Sequence, residues 1–197
     1  MKSRISKIER KTMETDIKLR LNIDGKGEAN IDTGIGFLNH MLTLFVKHGS
    51  FDIDLKAKGD LMIDDHHTTE DIGIVLGNAF SEVIGDKKGI NRYGFFVLPM
   101  DECLTTVAFD FSGRYSFKLA VGLDREKVGD FSTELLYDFW EAFAQNAKSS
   151  LIIKSEYGRN DHHKIEGIFK ACARAMRMAC EYDARNLDQI PSTKGKL

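Results

Sequence analysis

The chain lacks a surplus of charge of either sign: 28 basic and 30 acidic residues leave a net charge of −2, so no general basic field exists to hold nucleic acid. It lacks any apolar run near the roughly 18 residues of a membrane span, and its polar N-terminus lacks a signal-peptide core. A cytoplasmic location is the expectation. Cysteine is scarce and odd in number, with Cys103, Cys172 and Cys180 alone, which argues against a disulfide framework. Cys172 and Cys180 fall in an alanine- and methionine-rich helical pattern and read as buried thiols. No His-Glu-x-x-His occurs, which disfavours a zinc protease. What remains is a soluble globular protein with 42% hydrophobic content to fill a core.

What the chain does have is a short motif used twice. Asp65-His66-His67-Thr68-Thr69-Glu70 returns about half a chain later as Asp161-His162-His163-Lys164-Ile165-Glu166, and four of the six histidines sit in these hexads. On a helix at about 100° per residue, the first histidine and the glutamate of each hexad share a face, while the adjacent histidines diverge. Two neighbouring histidines therefore face one ion with difficulty, and each hexad suits two metal positions better than one. Imidazole nitrogen with carboxylate oxygen is a ligand set for a divalent first-row metal such as Mn, Fe, Co or Zn. A single His-His pair is common on solvated helices; duplication with the flanking aspartate kept favours the ligand reading.

Along the chain, Ile17, Leu19, Leu21 and Ile23 alternate with polar residues as a strand entering an Asp24-Gly25 turn, with residues 26–31 expected to pair back on it. Glu14, at its start, reads by itself as an exposed edge carboxylate. Phe37, Met41, Leu44 and Phe45 recur at helical spacing up to Gly49 on a helix that carries His40 and His48. His40 borders the apolar positions, where a lone histidine is more often a core residue than a ligand. Phe51, Ile53, Leu55 and Ala57 form another strand, and Asp64 or Asp65 caps the helix bearing the first hexad. After the connector at 85–89 the order restarts, with strands at 93–98, 104–111 and 115–121, a helix opened by Ser132-Thr133-Glu134, a strand at 151–155, and a final helix capped by Asn160 or Asp161. Pro99 limits the pairing of the first of these strands.

This is an internal duplication. Residues 1–90 form a first half-repeat and 91–197 a second that ends in a substrate-binding tail, the two making one compact unit. The expected fold is α+β, a two-layer sandwich with an antiparallel sheet and the helices packed on one face. If the hexads lie too far apart within one chain, neighbouring subunits must complete the sites. The terminal Ser192, Thr193 and Lys194, near Gly195, suit a phosphate as readily as they suit a mobile tail. Arg92 and Arg114, beside tyrosines and glycines, read either as bidentate anion clamps or as solvated arginines.

Four separated stretches in order carry a resemblance: residues 33–42, from Thr33-Gly34-Ile35-Gly36 through His40; the run 64–71 around the first hexad; Tyr157-Gly158-Arg159-Asn160 leading into the second; and Pro191-Ser192-Thr193-Lys194-Gly195. Together they resemble imidazoleglycerol-phosphate dehydratase, in its monofunctional form, over essentially the whole chain from Arg10. The resemblance implies a histidine-biosynthesis enzyme that removes water from imidazole glycerol phosphate to give imidazole acetol phosphate. It also implies two Mn²⁺ ions per site, and a homo-oligomeric hollow cage of roughly two dozen subunits with active sites at the interfaces. By position, the metal ligands would be His40, His66, His67, Glu70, His162, His163 and Glu166. Glu14, His40, His48 and Lys170 would line the substrate site, and Arg92, Arg114, Ser192, Thr193 and Lys194 would hold the phosphate.

The hydrogen to be removed lies on a carbon with no adjacent carbonyl, which is why an ordinary base is not enough and metals that bind the imidazole ring are needed. Glu14 is the expected base, since Glu70 and Glu166 would be occupied as ligands. One departure stands out. Where the family carries a metal-binding histidine in a Thr-Leu-His pattern, this chain aligns Ser150-Leu151-Ile152. The resemblance therefore leaves three readings: an active dehydratase, a family member that binds substrate but turns over poorly because Ile152 removes a ligand, and a non-catalytic metal-binding assembly protein.

Overall fold

Period-two burial builds the sheets. In the strand Thr15–Asn22, Ile17, Leu19 and Leu21 point inward and the intervening Lys18 and Arg20 outward, so one face packs and the other faces solvent. A computed structural model of the chain describes residues 4–197. The elements run β1 (Ile5–Lys11), β2 (Thr15–Asn22), β3 (Ala29–Asp32), α1 (Gly36–Gly49), β4 (Asp52–Gly59), α2 (His66–Ile84), β5 (Tyr93–Met100), β6 (Cys103–Asp110), β7 (Ser116–Ala120), β8 (Lys127–Val128), β9 (Phe131–Ser132), α3 (Leu135–Asn146), β10 (Ser150–Tyr157) and α4 (Asp161–Cys180).

The two larger sheets have the same order, β1-β2-β4-β3 and β5-β6-β10-β7. Each half is thus a hairpin followed by a strand, helix and strand unit and a closing helix, which is the duplication written in topology. Within each half the helices cover one face of an antiparallel-rich sheet. The two helix layers then meet, α1 against α4 and α2 against α3. Trp140, Phe139, Phe143, Phe45, Phe51, Phe80 and Phe169 fill the space between, all fully buried. Each such side chain contributes about 1.5–3 kcal/mol by leaving water.

Two local expectations change. Residues 29–32 do not fold back on β2; β3 lies parallel to β4 on its far side, with α1 as the crossover. The chain between is long enough for a helix, and β2's other edge is already taken by β1. β1 itself escapes a periodicity reading because polar residues flank Ile8 on its inner face: Ser6 Oγ donates to Glu82 (2.9 Å), and Arg10 pairs with Asp71 (2.8 Å), both on α2. The second half repeats the parallel pairing between β7 and β10. Pro99 sits in the edge strand β5, where a missing N–H is tolerated. All three thiols are buried and free, as a structural role requires.

Candidate active site

α4 begins at Asn160, whose side chain accepts the N–H of His162 at 2.9 Å and so caps the helix. Asp161 does something else. Its buried carboxylate accepts the N–H groups of Asp124 and Arg125 at 2.8 Å each and pairs with Lys164 at 2.9 Å. Burial pushes this acid up, but Lys164 and the two backbone donors outweigh it and hold it below the usual carboxylate range. The hexad backbone is thereby pinned before any metal is considered.

One turn on, Glu166 Oε2 lies 3.1 Å from His162 Nε2 and 3.7 Å from His40 Nε2, which reaches across from α1. Donor atoms of His40, His162 and Glu166 all lie within 4.8 Å of one another, a spacing suited to one ion. Lys170 Nζ sits 2.5 Å from the other oxygen of Glu166. Burial raises the Glu166 carboxyl, yet Lys170 and His162 keep it below its ordinary value, so it is ready as an anionic ligand. His48, at the far end of α1, has its imidazole pushed down by burial and by the charges of Lys170 and Arg174. His40, His48, Lys170 and the second hexad thus form one cluster.

The adjacent histidines diverge as the helical geometry requires: the rings of His162 and His163 are inclined at 82°, those of His66 and His67 at 88°. His163 Nδ1 lies 2.9 Å from Glu102, a turn residue that also accepts the N–H of Asn160. The His163 contact holds Glu102 down at about 2. In the first hexad, Asp64 accepts the His66 N–H at 2.9 Å, while Asp65 takes the N–H and hydroxyl of Ser132 at 2.6 and 2.7 Å. Asp65 is the counterpart of Asp161 in tying a hexad to a distant segment of the same chain. His66 Nε2 lies 3.8 Å from Glu70, and His67 lies 3.0 Å from Asp60 through Nδ1 and 3.8 Å from Glu14 through Nε2. The Asp60 contact pushes the His67 imidazole up. Asp60 and Glu102 are carboxylates that the hexad pattern does not reveal. Both lie in connections between elements, Glu102 next to Asp101, which itself comes within 3.6 Å of His163 Nε2, and only the fold brings them to a histidine.

The phosphate candidates form a separate cluster. Arg92, Ser112, Gly113, Arg114, Ser192, Thr193 and Lys194 line a cleft of about 430 Å³. Arg92 is held in a fork by Asp110 at 2.7 and 3.1 Å and anchors the tail by donating to Pro191 O at 2.8 Å. Its backbone N–H bonds Ala179 O near the end of α4, and Lys87, just beyond α2, lies beside Gly113. Both hexads stand at the starts of these helices. At about 1.5 Å per residue the 20 residues of α4 set its two ends about 30 Å apart.

Ile152 lies away from both hexads. β10 alternates, with Leu151 and Ile153 buried toward the helices and Ile152 51% exposed on the outer sheet face. Within the chain, its side chain opens no gap in the His40, His162 and Glu166 group.

The fold and these clusters define a class: an internally duplicated α+β protein with candidate divalent-metal centres at the matching starts of its helices. A model of the family described as imidazoleglycerol-phosphate dehydratase matches residues 33–176. Enzymes of that name from Rhodopirellula baltica and Clostridium botulinum are 54% and 52% identical, over 99% and 100% of this chain and 96% and 100% of theirs. The crystal structure of the Staphylococcus aureus enzyme superposes with a TM-score of 0.83 at 42% identity, covering 91% of this chain and 99% of that one. The chain belongs to the imidazoleglycerol-phosphate dehydratase family.

Proposed function

We propose that this chain is a manganese-dependent lyase that dehydrates imidazole glycerol phosphate to imidazole acetol phosphate in histidine biosynthesis. The observation that carries the reading is the convergence of His40, His162 and Glu166 on one point, with their donor atoms within 4.8 Å, in a chain of this family. The donor set fits the ion: imidazole nitrogens with hard carboxylate oxygens suit Mn²⁺. Asp60 and Glu102 hold the Nδ1 atoms of His67 and His163, an arrangement that orients a ligating histidine and leaves Nε2 to the metal. Bound Mn²⁺ would act as Lewis acid and as template for the imidazole ring.

The remaining work falls to the protein. Glu14, on the β1 to β2 turn and half exposed beside His67, takes the proton from the carbon next to the departing hydroxyl. The C–H electrons form the enol double bond, the departing hydroxyl and the proton taken by Glu14 together make up the water lost, and the enol tautomerises to the ketone. His48 and Lys170 line the same region. Arg92, Arg114, Ser192, Thr193 and Lys194 bind the phosphate.

Separation of the metal and phosphate clusters by the length of a helix, several times the reach of a small phosphorylated imidazole, supports active sites completed between subunits of a homo-oligomer. Exposed apolar side chains support the same reading: Tyr93, Phe95 and Val97 on β5 are 53–65% exposed, beside the outward Ile152. A cage of roughly two dozen subunits satisfies this requirement with closed symmetry. The test is turnover of imidazole glycerol phosphate by chelator-stripped protein on Mn²⁺ add-back. Activity should return with metal; a stripped protein as active as the loaded one contradicts the proposal.

A further inference from the structure

Glu14 lies half exposed on the β1 to β2 turn, 3.8 Å from His67, and its carboxylate accepts no hydrogen bond among the described residues. Its counterpart Glu102 is fixed through its own oxygens, by the Asn160 N–H at 3.0 Å and by His163 at 2.9 Å. A carboxylate engaged in that way is poorly placed to collect a proton from substrate, so the position of a base must be set through its backbone.

Two hydroxyls do this for Glu14. Thr12 Oγ1 accepts the N–H groups of Glu14 and Thr15 at 3.1 and 3.0 Å and lies 3.2 Å from Thr15 Oγ1, which donates to Asp71 at 2.5 Å. Asp71 is the residue after Glu70 on α2, and its carboxylate, paired with Arg10, offers only acceptors. That end fixes the direction of the chain. Thr15 donates to Asp71, Thr12 donates to Thr15, and the lone pairs of Thr12 are left for the two N–H groups. Bonds that run one way reinforce one another. Thr15 and Asp71 are only 3% and 6% exposed, so water competes little for them.

The second half lacks this device. Counted from the hexads, Asp71 corresponds to Gly167; Thr15, the first buried residue after Glu14, corresponds to Cys103 after Glu102. Both halves need their hairpins held, but the hydroxyl chain occurs only where the acid's own oxygens are free. We propose that Thr12, Thr15 and Asp71 are positioning residues that aim the general base Glu14 from the hexad helix. The inference rests on the reading of Glu14 as the base.

The experiment is a double-mutant cycle on the Mn²⁺-loaded full chain, with kcat and KM for imidazole glycerol phosphate and Mn²⁺ binding measured for each variant. Thr15→Val deletes the hydroxyl at nearly constant shape and should lower kcat about 10- to 100-fold, as an ångström-scale misplacement does, with KM and Mn²⁺ binding nearly unchanged; Thr15→Ser should recover most of the loss. In the Glu14→Gln background Thr15→Val should cost nothing further, because no base remains to aim. The same factor lost in both backgrounds, or a loss that falls on KM or on Mn²⁺ binding, overturns the inference. A Thr15→Val enzyme as fast as the parent while Glu14→Gln is slow also overturns it and leaves the reading of Glu14 intact. If Glu14→Gln turns over as the parent does, the base assignment itself falls, and the inference with it. Should Thr15→Val fail to fold, Thr12→Val breaks the same chain at a half-buried position and carries the same predictions.

Discussion

Glu14 and Glu102 occupy corresponding turns, each beside the second histidine of a hexad, and are expected to behave differently. Glu14 is held only loosely, 3.8 Å from His67, as suits a base that must reach a carbon. Glu14→Gln should cut kcat about 10²–10⁴-fold with Mn²⁺ binding retained, measured by turnover and dialysis together. Glu102 fixes a histidine instead, so Glu102→Ala should weaken Mn²⁺ about 10- to 100-fold, with Glu102→Gln recovering part of it; equal loss in both variants would contradict a positioning role. A third carboxylate works on the fold. Burial raises Asp52, but the N–H groups of Lys26 and Glu28 and the Asn22 amide hold it below the usual range. A depressed acid stabilises the fold above its unfolded value and loses that contribution as pH falls through the folded one. Asp52→Asn should therefore lower Tm at pH 7, with the gap closing below about pH 4; a gap that persists at low pH contradicts the assignment.

At the scale of elements, the close crossing of α2 and α3 depends on Gly73. A Cβ there would lie 2.5 Å from the Phe139 carbonyl oxygen, so the helices must part. Gly73→Ala should cost about 1–3 kcal/mol, read as a fall in Tm by thermal melting. Most helices were legible because their apolar stripes and the repeated hexads announce themselves locally. β1 was not, since Ser6 and Arg10 face inward through polar contacts with α2, and the parallel partner of β3 depends on chain far away in sequence. The site was legible in part. His66, His162 and their glutamates follow from a motif, whereas Asp60 and Glu102 are ordinary turn acids until the fold gives them a histidine.

At the scale of the molecule, the hexads lie at the starts of α2 and α4 and the phosphate cluster at their ends. The central claim is that one substrate reaches both only where subunits meet. It is tested most directly by mixing two inactive variants, His162→Ala and Arg92→Ala, after dissociation and reassembly. Each alone should turn over little or no imidazole glycerol phosphate. Mixed oligomers should recover a measurable fraction of activity, because some interfaces then join an intact metal cluster from one subunit to an intact phosphate cluster from another. Mixed oligomers that form normally and stay as inactive as either parent would contradict the account.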